Sequence, residues 1–329
     1  MDFCKYYDFE YEEIHRYLAN KNIGRVLLQF PEGLQPCIDN VVDELKRRFP
    51  DIEFYISTNP SYGSCLVDEY SAREIGAQLI IHFGHYEYPG YRPSIDVLYI
   101  GVKRLNIDIQ TIGRILDDIC GEKNISKLCL ATTAQHIKDI YMVIDRVERC
   151  KIFIKGTIYG CIPLNPDNCD AIVIISGGKF HCISQSLALL SMNPKPRIFC
   201  IDPYIQSVID PEPEVEKILR TRMWKMFQAS NAKKWLIVTG FYGQYRENIV
   251  KKLVEKLKSL GKEYRVVKSL RFDREILANI DAEHNYDAIV VTSCPYIAFD
   301  LKDYGKPVLT VGEAFMVLEN NFSSYRYPW

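Results

Sequence analysis

The chain has 329 residues, 47% of them hydrophobic, and a formal net charge of -1 at pH 7. That length calls for two or three units of ordinary size, and the balanced charge gives no electrostatic footprint for nucleic acid or an acidic membrane surface. No run approaches the roughly 20 apolar residues of a membrane span, and the acidic, tyrosine-rich stretch from Met1 to Leu18 lacks the basic head and apolar core of an export signal, so the expected location is cytoplasmic.

A helix-like stretch at Tyr11–Ala19 opens the chain, followed by four short apolar runs of the kind that buried parallel strands produce: Val26–Phe30, Phe54–Ile56, Leu79–Phe83 and Val97–Ile100. The pattern then repeats. Ile107–Ile119 has helical spacing and precedes Leu128–Leu130, Ile152–Ile154, Ala171–Ile175 and Arg197–Ile201. Val215–Met226 precedes Trp235–Val238, Tyr264–Val267, Ala288–Val291 and Val308–Val311. Helical spacing also falls between runs, as in Ile38, Val41, Val42 and Leu45, or Ile249, Leu253, Leu257 and Leu260. Alternation at this pitch predicts βαβ units. The expected fold is therefore α/β, with three repeated units at 1–105, 106–210 and 211–329, each carrying a four-stranded parallel sheet flanked by helices and all facing a central site. The last boundary coincides with Asp210-Pro211-Glu212-Pro213, which cannot continue a helix.

Loop chemistry repeats too. A glutamine follows the first strand of each unit, at Gln35, Gln135 and Gln244, in loops that leave the carboxyl ends of parallel strands, where open α/β sheets bind ligands. Three of the eleven cysteines stand apart in small-residue turns: Tyr62-Gly63-Ser64-Cys65, Tyr159-Gly160-Cys161 and Ser293-Cys294-Pro295. Cys65 and Cys161 follow the second strand of their units and Cys294 the third. The others, such as Cys129, Cys150 and Cys200, lie in or beside apolar segments and read as core filler; with no export signal, thiols are expected to bind metal or stay free.

Three thiolates without close Cys-x-x-Cys pairing do not resemble a zinc ribbon. They suit an iron-sulfur cluster, whose ligands can come from distant loops, and three ligands for four irons would leave one iron open to substrate. Cys169, near Cys161, is a rival ligand by spacing alone. His82, His85 and His181 sit at or after the third strands and could line the same pocket, and Gly177-Gly178 would let an anionic ligand approach the backbone.

These motifs resemble the archaeal diphthamide synthase family, radical enzymes of the first step in diphthamide biosynthesis. The resemblance covers nearly the whole chain and is carried by Phe30-Pro31-Glu32-Gly33-Leu34-Gln35, Tyr62-Gly63-Ser64-Cys65 with Asp68, His82-Phe83-Gly84-His85, Tyr159-Gly160-Cys161, Gly178-Lys179-Phe180-His181, Asp202-Pro203-Tyr204 and Ser293-Cys294-Pro295. It implies a homodimeric transferase holding a [4Fe-4S] cluster through Cys65, Cys161 and Cys294, using S-adenosylmethionine as donor and served by an electron donor. A 3-amino-3-carboxypropyl group would pass to a histidine of translation elongation factor 2, with Gln35, Gln244, His181 or the Gly177-Gly178 turn receiving the amino-acid end of the donor. Where relatives carry an acidic residue, the loop here reads Ser176-Gly177-Gly178-Lys179, and after His85 it reads Tyr86-Glu87-Tyr88-Pro89-Gly90 in place of a Ser-Cys sequence. The alternatives are a cluster-dependent dehydratase or condensing enzyme of the quinolinate synthase kind, and a non-catalytic scaffold subunit.

Overall fold

The computed structural model describes residues 3–329 except 20, 123 and 168. In chain order the regular elements are β1 (Tyr7–Asp8), α1 (Tyr11–Leu18), β2 (Arg25–Gln29), α2 (Ile38–Arg48), β3 (Glu53–Ser57), α3 (Glu69–Glu74), β4 (Leu79–Phe83), β5 (Asp96–Ile100) and β6 (Lys103–Arg104). There follow α4 (Ile109–Cys120), β7 (Lys127–Thr132), α5 (Ile137–Ile144), β8 (Lys151–Thr157), β9 (Ala171–Ile175), α6 (Phe180–Ala188), β10 (Arg197–Asp202) and β11 (Ser207–Ile209). The last third holds α7 (Glu212–Ala229), β12 (Lys234–Thr239), α8 (Glu247–Ser259), β13 (Glu263–Lys268), α9 (Arg274–Ile280), β14 (Ala288–Val291), α10 (Pro295–Asp300), β15 (Val308–Thr310) and α11 (Val311–Glu319).

Three sheets share one strand order. The first is β3-β2-β4-β5 and the third β13-β12-β14-β15, all parallel, while the second is β8-β7-β9-β10 with β11 added beyond β10. The order reverses between the first and third strand of each sheet, and at such a switch point the diverging loops leave a crevice at the carboxyl ends. Central strands are buried on both faces, which is why Leu79–Phe83, Ala171–Ile175 and Ala288–Val291 are unbroken apolar runs apart from His82.

The expected four strands per sheet need one correction. β11 pairs antiparallel with β10, Cys200 facing Ile209, so the second sheet has five strands. The chain reverses after Asp202 through Gln206, at a left-handed φ of 53°, and three residues are too short for a periodic signal. A second short ladder joins β1 to β6. Where β8 meets β7 the register shifts between Leu130 and Ala131, and Gly156 takes φ 81°. Such an irregularity re-aims a strand end, here the segment leading to Cys161.

Eight cysteines depart from the expected free thiols. They form disulfides Cys4–Cys37, Cys120–Cys150, Cys129–Cys169 and Cys182–Cys200, with Cα–Cα distances of 5.5, 5.3, 5.7 and 5.9 Å. All lie within the span that a disulfide bridges. Cys169 is thereby removed as a rival ligand. Among the described residues, no helix is long and apolar enough to cross a membrane.

Candidate metal centre

Cys65, Cys161 and Cys294 remain free, and all three line one cavity of about 190 Å³ at the carboxyl ends of the sheets. Each is held by a different local device.

The Cys65 loop is fixed from below by Gln29, buried at the end of β2. Its Nε2 donates to Leu66 O at 2.9 Å, and its Oε1 accepts from Asp68 N at 3.2 Å. Asp68 then caps α3 by accepting from Ser71 N, and takes further bonds from Ser57 Oγ and Asn59 Nδ2. From above, Gly243 presses on the loop: a Cβ there would lie 2.8 Å from Cys65 O. That contact requires glycine. Gln244, 3% exposed, reaches Cys65 Sγ with its Nε2 at 3.7 Å.

The Cys161 loop is clamped by Gln185 of α6, whose Nε2 donates to Tyr159 O and Ile162 O and whose Oε1 accepts from Leu164 N at 2.8 Å. Gly160 has no room for a side chain between Phe180 and Tyr296, at 2.9 and 3.0 Å from a built Cβ. Cys294 is the residue before α10, with Pro295 supplying the helix's first position, where its missing N–H costs nothing.

Burial pushes the Cys65 thiol up to about 11, helped by the nearby Cys161, and the Cys294 thiol up to about 12, helped by Cys65. Thiols so placed are poor nucleophiles at neutral pH, because the active form is the thiolate. Bound metal would remove that penalty, since it deprotonates a coordinating thiol outright. Among the described residues no three His, Cys, Asp or Glu side chains are placed to share one metal ion. A mononuclear site needs its ligands gathered on one ion, whereas a four-iron cluster takes its thiolates at separate corners. Three thiol donors brought from separate loops to one cavity are a donor set that a cluster can use. Ser64 Oγ, buried beside Cys65 without a partner, adds an unused polar group to the same wall.

The polar part of the remaining wall is uncharged. Gln29 Oε1 already accepts from Asp68 N, so it also accepts from His82 Nδ1–H at 2.9 Å; His82 Nε2 then accepts from His85 Nδ1–H at 3.1 Å. In this tautomer His85 Nε2 is the ring's acceptor nitrogen. Burial holds His82 well below the usual histidine range and puts His85 and His181 at about 4, so all three are neutral at pH 7. Among the described residues, the cavity lining includes His85, Gln135 and His181 but no lysine, arginine, aspartate or glutamate.

The other sequence candidates are spread more widely. His181 lines the cavity and Gln244 touches Cys65 from behind it, whereas Gln35 lies in a separate groove. Gly177 and Gly178 do not line the cavity: a Cβ on Gly177 would strike the Tyr204 ring at 2.3 Å, and Gly178, at φ 69°, donates its N–H to Asp202 Oδ2. These glycines serve the loop's own packing.

Sequence reading missed Arg246 and Tyr88. Arg246 lies 3.7 Å over the Trp329 ring and donates to Ser293 O and Tyr88 Oη, while Tyr88 Oη is 3.5 Å from Cys161 Sγ. Arg246 follows Gln244 by two positions, in the loop the glutamine repeat had already marked.

Fold and site together define a class: a three-sheet α/β protein whose strand-end loops bring three free cysteines to one uncharged cavity. A family profile described as "Putative diphthamide synthesis protein" matches residues 30–328, and the chain belongs to that family. It is similar to 2-(3-amino-3-carboxypropyl)histidine synthase subunit 1 of Bos taurus, 29% identical over 98% of this chain and 74% of that protein. The corresponding subunit of Nematostella vectensis is 28% identical over 98% of this chain and 70% of that one. Among solved structures, Dph2 from Pyrococcus horikoshii with a 4Fe-4S cluster superposes with a TM-score of 0.82, at 24% identity, over 97% of this chain and 93% of that one.

Proposed function

We propose that the chain is a 3-amino-3-carboxypropyl transferase of diphthamide biosynthesis, with Cys65, Cys161 and Cys294 as ligands of a [4Fe-4S] cluster, S-adenosylmethionine as donor and a histidine of translation elongation factor 2 as acceptor. The observation that carries this reading is the meeting of the three free cysteines at one cavity while the other eight are paired. Family membership supports the pathway, and the names of the relatives supply the group transferred.

When bound, the cluster supplies the electron that cleaves the donor's sulfonium bond. The chain's own residues hold and shield. Tyr86, Tyr88, Tyr159 and Phe180 offer apolar and aromatic faces to an adenosine. His85 Nε2 presents an acceptor for an amine, and Gln135, whose Nε2 is committed to Gly84 O and Gly101 O, keeps its Oε1 as a second acceptor. Placement of the donor against the thiolate side would decide which of its bonds is nearest the reacting centre. A quinolinate-synthase-like reaction handles several carboxylates, and among the described residues no cation lines the cavity to receive them.

In this reading the three sheets mark units 1–105, 106–210 and 211–329, and the working species is a cytoplasmic homodimer fed by a separate electron donor. The test is anaerobic reconstitution, dithionite reduction and addition of S-adenosylmethionine with elongation factor 2. Release of methylthioadenosine and a matching mass gain on the factor's histidine are expected; deoxyadenosine as the sole cleavage product would contradict the reading.

A further inference from the structure

A second cavity meets the first at Cys294. It is about 770 Å³ and lies across an aromatic wall of Tyr62, Phe180 and Tyr296; these three rings and Cys294 line both spaces. Phe180 packs on Tyr296 with centroids 3.9 Å apart, yet Phe180 and Tyr62 each remain 47% exposed. Open aromatic faces beside a buried thiol mark a surface built to be covered.

The groove comes from loops of the first and third sheets and carries polar groups the chain does not use. Glu32 and Asp300 line it, and among the described residues neither makes an ion pair or a side-chain hydrogen bond. Of the two arginines on the same wall, Arg271 is paired with Asp273 at 2.8 Å and Arg274 stands beside it, so the lining carries three carboxylates against two guanidinium groups.

We infer that this groove receives the histidine-bearing segment of the protein acceptor, with Glu32 and Asp300 accepting from its imidazole and other N–H donors. The inference rests on the functional reading above. A transfer between two reactants requires both to reach one centre, and the two cavities share only one of the three cysteines. The inner cavity, four times smaller by these volumes, suits the small donor. A polypeptide loop needs the larger groove, and the carboxylates of Glu32 and Asp300 complement the N–H donors of an imidazole and its backbone.

The charge-reversal variant Glu32→Lys tests this with dithionite as reductant, which bypasses any protein electron donor; Asp300 is left in place because its charge also acts on Cys294. The KM for elongation factor 2 should rise about tenfold or more with kcat within about twofold, while methylthioadenosine release without the factor stays at the wild-type rate. An unchanged KM, or loss of release without the factor, overturns the assignment. Independently, p-benzoylphenylalanine at position 270, on the groove wall, should cross-link cluster-free protein to the factor beside its acceptor histidine; cross-links confined to other regions of the factor overturn it as well. A wild type that releases no methylthioadenosine contradicts the functional reading instead, and the cross-link map still decides the groove.

Discussion

Arg246 donates to Tyr88 Oη at 2.8 Å, tying the loop after the first strand of the third sheet to the loop after the third strand of the first. The pair sets a fixed positive charge behind the uncharged lining of the thiol cavity, and that charge favours the Cys65 thiolate. Removing the cation should disfavour the more negative, reduced state of a bound cluster. Arg246→Ala is expected to move the reduction potential of the reconstituted protein downward. Arg246→Lys should recover only part of the shift, because lysine cannot fork to Tyr88 and Ser293 O while stacking on Trp329. Equal potentials in wild type and Arg246→Ala would contradict this role.

Gln185 holds the Cys161 loop by three hydrogen bonds from a fully enclosed position. Truncation leaves buried backbone groups unpaired, each costing about 1–3 kcal/mol. Gln185→Ala should therefore lower stability by about 2–4 kcal/mol in urea unfolding and reduce iron retention at equal protein concentration. Gln185→Glu keeps an acceptor for Leu164 N but turns a carboxylate oxygen onto the Tyr159 and Ile162 carbonyls in an enclosed site, and at neutral pH it should destabilise at least as much as the alanine.

Acid should destabilise the fold through its buried histidines. His85, His136 and His181 are held near 4 by burial, and His82 is also strongly depressed. The unfolded chain, with histidines near about 6.5, binds more protons than the folded one between those values, so stability rises with pH across that window and is lost as pH falls from 6.5 toward 4. Urea midpoints at intervals through that range should drop steadily for wild type. His136→Gln, away from the cysteines, should flatten the profile; an unchanged slope would rule out its share.

Thiol labelling checks the pairing. Alkylation of the denatured, unreduced chain should modify Cys65, Cys161 and Cys294 and leave the eight disulfide cysteines unlabelled until reductant is added. Labelling of Cys129 and Cys169 without reductant would return Cys169 to the list of candidate ligands.

Parallel strands buried on both faces could be read from sequence because their runs are continuous, and the three free cysteines of the cavity because each stands in a small-residue turn just past a strand or at its end. What could not be read depends on distance in space rather than along the chain. Cys129 and Cys169 are 40 residues apart and meet only when β7 folds against the loop before β9. Gly177 has the look of a ligand loop, but its missing side chain makes room for Tyr204. β11 is three residues long and carries no alternation to detect. Arg246 and Tyr88 occupy loops whose sequences give no sign that they converge.

Iron and sulfide content of the anaerobically reconstituted chain is the most direct measurement, made on wild type, on Cys65→Ala, Cys161→Ala and Cys294→Ala, and on Cys169→Ala, which opens only the disulfide to Cys129. Wild type and Cys169→Ala should each hold about four iron and four sulfide per chain, with a reduced-cluster paramagnetic signal, and each of the other three variants should lose the cluster. An iron-free wild type, or full cluster content in Cys161→Ala, would contradict the assignment of Cys65, Cys161 and Cys294 as its ligands.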